Sequence, residues 1–182
     1  MTNYYPRVDV WRIPAEALAA SFREMARDGA LGNEGVALWL GQRREAVAHV
    51  SCVVILRDPC VVRQPDLMSI PPEVLNDVAD VAINRELVLV GQIHSHATRH
   101  GVGLSQTDRF HGVTVPYYLS VVAPHYALGA MPQITSCGVH VFEPKTGYRR
   151  MPAAEVRQRI HVDVVEQSLE DLRLHVVDGH AP

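Results

Sequence analysis

Glu86-Leu-Val-Leu-Val90-Gly-Gln-Ile-His94-Ser-His96-Ala-Thr-Arg-His100-Gly-Val-Gly-Leu-Ser105-Gln-Thr-Asp108 begins like a buried strand and ends like a helix start. The run Leu87 to Val90 is apolar and β-branched, the signature of a strand inside a sheet. Alternate residues of a strand share a face. If the strand runs on through the motif, the His94 and His96 imidazoles project to one side and can share a metal ion. Asp108 then supplies a third ligand from the next element. Two histidines, one carboxylate and a position open to water form the ligand set of a catalytic zinc site, not of a structural one.

Each piece has a plainer reading when taken alone. The chain holds ten histidines, and most histidines are ordinary core or surface residues. Ser105-x-x-Asp108 is close to the capping box that opens a helix. That reading and the ligand reading are compatible, because a helix start is a rigid place to hold a carboxylate. The combined pattern is much rarer, roughly one chance match in a few hundred chains of this length. Upstream, Gly32-Asn-Glu34-Gly-Val-Ala-Leu-Trp-Leu-Gly41 places Glu34 just ahead of a second apolar run. A solvated side chain is the default there. In a zinc hydrolase it is also the kind of group that takes a proton from the attacking water. His94-x-His96-x-x-x-His100 offers a rival set of three histidines. A metallo-β-lactamase pattern fails because Thr98 stands where Asp is needed. A cupin pattern fails because no Glu follows before Glu143. His100 and His111 read as loop or rim residues.

Glu34 before an apolar strand, then His94-Ser-His96, then Ser105-x-x-Asp108, resembles the JAMM motif of MPN-domain (JAB/MPN+) metalloproteases, zinc isopeptidases that remove ubiquitin or ubiquitin-like proteins. The order of elements agrees over about residues 14 to 145. The resemblance implies an MPN/JAB-like, cytidine-deaminase-like α/β fold. It implies zinc on His94, His96 and Asp108, Glu34 as proton shuttle, and Ser105 as hydrogen-bond donor to the developing oxyanion. One departure is local: many members carry Pro after the second His, and this chain has Ala97. Gly101 and Gly103 add conformational freedom to the same loop.

The same resemblance implies a substrate. The extended tail of a ubiquitin-like protein, often ending Gly-Gly, passes the metal as an added strand. From position alone, 57–70 and 123–132 are the loops expected to line its channel. Bacterial relatives of this size look like members of compact operons, some in antiphage defence, encoding the ubiquitin-like protein with its activating and conjugating enzymes. Two alternatives stand beside this: a JAMM peptidase serving a sulfur-carrier protein in a cofactor pathway, and a non-catalytic MPN scaffold.

Composition bounds the rest. With 182 residues and a mean hydropathy near zero, the chain suits a single domain with a real core. A net charge of −3 and a pI near 6.3 argue against nucleic-acid binding. Cys52, Cys60 and Cys137 lack C-x-x-C spacing and fit a reducing compartment. No signal-peptide pattern or eighteen-residue apolar span is present, so a cytoplasmic protein acting away from membranes is expected. Lys145 is the only lysine against sixteen arginines. Codon bias explains that, and so would escape from a lysine-conjugating system.

Hydrophobic periodicity gives the elements. Pro14 to Asp28 reads as a helix with Leu18, Phe22 and Met25 on one stripe. Strands are expected at 36–40 and 46–56, joined by a turn at Gly41-Gln-Arg-Arg44. Arg57 to Pro65 is broken by prolines and reads as a loop or irregular edge. Pro71-Pro72 opens a second helix. Further strands are expected at 117–122 and 133–142, and a helical tail at 153–175, although Ile160-His-Val-Asp-Val164 alternates like a strand. The sum is a mixed sheet flanked by helices.

Overall fold

The computed structural model describes residues 6–129, 133–164 and 175–177. The fold is α/β, as expected, with a mixed nine-stranded sheet. In chain order the elements are β1 (Val10–Pro14), α1 (Ala15–Gly29), β2 (Val36–Arg44), β3 (Val47–Leu56), β4 (Val62–Gln64), β5 (Leu67–Ser69), α2 (Pro72–Asn84), β6 (Val88–Ser95), α3 (Gln106–His111), β7 (Leu119–Ala123), β8 (Gly138–Glu143), β9 (Gly147–Arg150), α4 (Ala153–Arg159), β10 (Ile160–Asp163) and β11 (His175–Val177). The main sheet runs β10-β1-β3-β2-β6-β7-β8-β9, with β11 also on β3; β4 and β5 form a separate hairpin.

Both faces of the central strands are covered, which is why β2 reads as an unbroken apolar run and not as an alternating one. On one face, Leu18, Phe22 and Met25 of α1 pack with Trp11, Trp39, Val53 and Ile93. On the other, Val74, Val78 and Ala82 of α2 pack with Leu38, Leu40, Val54 and Leu56. The buried indole of Trp39 donates to Ser21 Oγ at 2.9 Å, and that hydroxyl donates in turn to the Ala17 carbonyl at 2.7 Å. The Trp39 indole and the Ser21 hydroxyl are thereby satisfied.

Several expected boundaries move. Gly41-Gln-Arg-Arg44 is not a turn: β2 continues to Arg44, and pairing with β3 shifts register between Leu40 and Gly41. Gly41 sits at this bulge because a Cβ there would lie 1.8 Å from the His49 carbonyl oxygen. The reversal comes later, around Glu45, whose φ is 54°. A strand, β1, precedes the first helix. The expected strand at 117 begins only at Leu119, after Tyr117 at φ 60°. The expected strand at 133 opens as a short 3-10 turn, Ile134–Ser136, before β8. The proline-broken segment Arg57 to Pro65 ends in β4, which pairs with β5 just beyond it. The helix that opens the tail ends at Arg159, and Ile160 to Asp163 pairs parallel with β1 instead. Pairing along an open edge, with Ile160 buried, wins over a weak helical stripe. Residues 165–174 of the expected helix lie outside the described residues.

The functional consequence lies at the middle of the sheet. β6 pairs antiparallel with β2 and parallel with β7. The β6–β7 connection leaves the carboxyl end of β6 through α3. In open α/β sheets the crevice outside the carboxyl ends of parallel strands is where ligands bind.

Candidate metal centre

His94 is the last but one residue of β6, opposite Val36 on β2 and Val122 on β7. His96 lies just beyond the strand, yet its N–H donates to the Ala123 carbonyl at 2.9 Å. Extended pairing thus carries through the motif. Both imidazoles fall on one face, with ring centroids 5.0 Å apart, and both are buried.

Asp108 arrives from the other side. Ser105 caps α3: its Oγ accepts the Asp108 N–H at 3.0 Å, and its own N–H donates to Asp108 Oδ2 at 2.7 Å. This is the reciprocal capping box that the sequence suggests. The same carboxylate faces the histidines, with Oδ2 3.2 Å from His96 Nε2 and Oδ1 3.6 Å from His94 Nε2. The cap fixes the carboxylate that faces the histidines, so the capping reading of Ser105-x-x-Asp108 holds and is compatible with the ligand reading.

The donor set fits a small divalent cation. Bonds of about 2.0–2.1 Å at tetrahedral angles put neighbouring ligand atoms about 3.3 Å apart. His94 Nε2 and His96 Nε2 are 3.2 Å apart and His96 Nε2 and Asp108 Oδ2 also 3.2 Å, two edges of about that length, while His94 Nε2 meets the other carboxylate oxygen, Oδ1, at 3.6 Å. Two imidazole nitrogens and a carboxylate oxygen are compatible with zinc. His100 is outside this group: it is exposed, its ring centroid 6.2 Å from that of His96. His111 is exposed as well. The three-histidine alternative therefore has no geometric support among the described residues.

The loop between His96 and α3 is pinned. His96 Nδ1 lies 2.9 Å from the Gly101 carbonyl oxygen, a pure acceptor that suits a proton on Nδ1 and leaves Nε2 facing the cluster. Val102 packs so close to β8 that a Cβ on Gly138 would lie 1.7 Å from its carbonyl oxygen.

Glu34 is buried beside this cluster. Its N–H donates to the Gln64 carbonyl at 3.0 Å, and the next residue is tied to β6 by Gly35 N–H to Ser95 Oγ at 3.0 Å and Ser95 N–H to the Gly35 carbonyl at 2.9 Å. Burial pushes the Glu34 carboxyl up to about 7; His96 pulls it down, Asp108 pushes it up, and a hydrogen bond from the Ala97 N–H pulls it down. A proline at position 97 has no N–H to give, so the Ala97 departure supplies a donor to Glu34. Burial alone would raise the Asp108 carboxyl, but hydrogen bonds from the two imidazoles hold it far below the usual carboxylate range. His96 is disfavoured as a cation by burial, yet its hydrogen bond to Asp108 raises it overall.

A groove of about 440 Å³ opens beside Asp108, with Leu38, Leu67, Met68, Ile70 and Leu75 along it and Gln92 in its wall. The β4–β5 hairpin forms one side. Its tip is held by Tyr126 O–H to the Pro65 carbonyl at 3.0 Å and by Arg99 to Asp66 at 3.3 Å. Residues 67–70 line the groove, whereas 123–129 supply none of its lining and reach the cluster through the backbone of His96, whose carbonyl accepts the Tyr126 N–H at 2.8 Å; residues 130–132 lie outside the described residues. Gln92, Tyr118 and the Gly101 carbonyl were not legible as site groups. The available signal was Gln92's position two residues before His94, hence on the same strand face.

No family model matches the chain, and no curated protein matches it. Solved structures do. The solution structure of protein DSY2949 from Desulfitobacterium hafniense is similar at TM-score 0.58 and 18% identity, covering 86% of this chain and 94% of that one. The solution structure of a protein from Salinibacter ruber is similar at TM-score 0.50 and 19% identity, covering 91% and 99% respectively. At such identities the likeness is one of fold. Among the described residues no helix is long and apolar enough to cross a membrane.

Proposed function

We propose that this chain is a zinc-dependent peptidase of the JAMM/MPN type, cleaving after the C-terminus of a ubiquitin-like protein. The bond would be an isopeptide to a lysine side chain or a peptide bond in a precursor. The observation that carries the reading is the convergence of His94, His96 and Asp108, with ligand atoms within 4.8 Å of one another, next to a buried Glu34 whose carboxyl stands near 7.

His94, His96 and Asp108 would hold the cation. Zinc there supplies Lewis acidity, which makes hydroxide available from water near neutral pH and polarises a carbonyl. Glu34 suits both halves of a proton shuttle, because a group with a pKa near the working pH accepts and returns a proton with similar ease. It takes the proton from water and delivers it to the leaving amine. Ser105 accepts one bond at Oγ, and a hydroxyl that accepts still has its proton to donate, here to the oxyanion. Removing one such donor typically costs about 10²–10³ in turnover. The groove beside Asp108, mostly apolar and walled by the edge of a small hairpin, suits an extended tail that adds as a strand. The complete ligand set argues against a purely scaffolding role. A sulfur-carrier protein as substrate uses the same chemistry, and activating and conjugating enzymes remain the expected partners of a ubiquitin-like substrate.

The test incubates the zinc-loaded protein with a ubiquitin-like protein bearing a C-terminal extension or a lysine linkage, with and without chelator. Chelator-sensitive cleavage after the tail is expected. Glu34→Gln should retain zinc and lose at least about 10² in turnover, whereas His94→Ala and Asp108→Ala should lose the metal. Near wild-type cleavage by Glu34→Gln would remove the assigned base. Full zinc occupancy in His94→Ala would remove the ligand set.

A further inference from the structure

The two histidines differ in what stands behind them. His96 has the Gly101 carbonyl at Nδ1, a pure acceptor. His94 Nδ1 faces the side-chain amide of Gln92, with Nε2 of that amide at 3.4 Å. The amide is itself held: Tyr118 O–H donates to Gln92 Oε1 at 3.1 Å, and Gln92 Nε2 lies 3.5 Å from Ser120 Oγ. Tyr118 is fully buried, so its hydroxyl has a strong requirement for this partner.

An imidazole that binds a cation through Nε2 carries its proton on Nδ1 and needs an acceptor there. An amide facing Nδ1 with its NH2 group serves the opposite tautomer, in which Nε2–H points at Asp108. Half a turn about the Cγ–Cδ bond exchanges the two ends. Oε1 then accepts from His94 Nδ1–H, and the NH2 group donates to the Tyr118 oxygen, which accepts as readily as it donates. Gln92 can thus satisfy either tautomer without leaving its place, unlike the fixed carbonyl behind His96.

We propose that Gln92, braced by the Tyr118 hydroxyl, is a positioning residue for His94, its amide turning to present Oε1 to Nδ1–H when a divalent cation occupies Nε2. The proposal rests on the metal site proposed above. It makes the buried Tyr118 and the half-buried Gln92 a relay from the β7 side of the sheet to the cluster, and it gives Gln92 a second contact, since the same side chain lines the groove beside Asp108.

The experiment measures zinc and cobalt(II) affinity of the full chain by competition with a chromophoric chelator. The variants are Gln92→Leu, Gln92→Glu, Tyr118→Phe and, as control, His94→Ala. Long-range proton–nitrogen correlation spectra of the zinc-loaded protein read which nitrogen of His94 carries hydrogen. Gln92→Leu should bind about 10–100-fold more weakly, the usual loss when the partner of a ligating histidine is removed. Gln92→Glu should restore affinity to within about threefold, because a carboxylate oxygen accepts the same hydrogen. Tyr118→Phe should cost about 2–10-fold, one neutral hydrogen bond. His94 should carry its hydrogen on Nδ1. Gln92→Met, nearer in length, replaces the leucine variant if circular dichroism finds that one unfolded. Unchanged affinity in the apolar variant, or no rescue by Gln92→Glu, overturns the positioning role and leaves the metal site standing. A wild-type chain that binds neither cation overturns the metal site and the positioning role with it.

Discussion

Glu34 is the residue whose placement costs the fold most plainly. A carboxyl buried at 5% exposure with its pKa raised to about 7 destabilises the protein at every pH where the unfolded chain would be ionised, most of all where the folded one must ionise too. The sign follows from proton counting. The folded state binds more protons than the unfolded state between about 4.5 and 7, so stability falls as pH rises through that window and stays reduced above it. Glu34→Gln removes the titration while keeping shape and hydrogen-bonding capacity. In chelator, the variant should therefore be more stable than wild type at pH 8 by about 1–2 kcal/mol, discounted for water in the cleft, and no more stable near pH 4. Urea unfolding at the two pH values checks this. An equal stability difference at both would show that packing, not ionisation, is responsible. A side chain that weakens the fold but complements the chemistry next to it is the pattern expected of functional groups.

At the scale of elements, the site is held by a close contact that no side-chain pattern reveals. The loop from His96 to α3 touches β8 where Gly138 passes under Val102, and an added methyl would meet the Val102 carbonyl oxygen at 1.7 Å. Backbone on backbone leaves nothing flexible to yield. Gly138→Ala should cost about 1–3 kcal/mol, the range for overpacking, and should weaken metal binding by displacing the Gly101 carbonyl from His96. Calorimetry with zinc titration separates the effects; unchanged zinc affinity would show that the loop is not placed by this contact. Such contacts mark what the sequence withholds. The strand through His94, the capping box at Ser105 and the stripe of α1 are local patterns, and they were legible together with the three residues of the candidate cluster. Gly41 looked like a turn because a bulge and a turn both call for glycine, and only the partner strand decides between them. The 160–163 segment carried both periods, and its pairing with β1, some 150 residues earlier, chose the strand. Gln92 stayed unread because an amide among apolar strand residues has no signature until Tyr118 and His94 are seen on either side of it.

Across the whole molecule, titration of buried groups sets an acid limit. His140, fully buried on β8, is pushed down to about 4 by burial, against the raising effect of the Ser120 backbone beside it. Here the unfolded state binds more protons, since an unperturbed histidine titrates near 6.5. Stability from this residue is fully present above about 6.5, falls as pH drops, and levels below about 4. It opposes the Glu34 effect over an overlapping range, so the metal-free protein should be most stable at mildly acid pH. A bound cation acts on the same balance from outside. At the proposed site it would bind the folded cluster far better than a chain in which β6 and α3 have come apart, and at a hundredfold excess over its dissociation constant it would add about 2.7 kcal/mol. For a domain of this size that is a rise in Tm of roughly 5–10 °C. Thermal melts at pH 7.5 should show the rise in wild type and in Glu34→Gln, and none in His94→Ala. At pH 5 it should shrink in all zinc-binding forms, because protons compete for the imidazoles. A rise of the same size in His94→Ala would mean that zinc stabilises the protein from somewhere other than the end of β6, and the cluster built by His94, His96 and Asp108 would lose its claim to the metal.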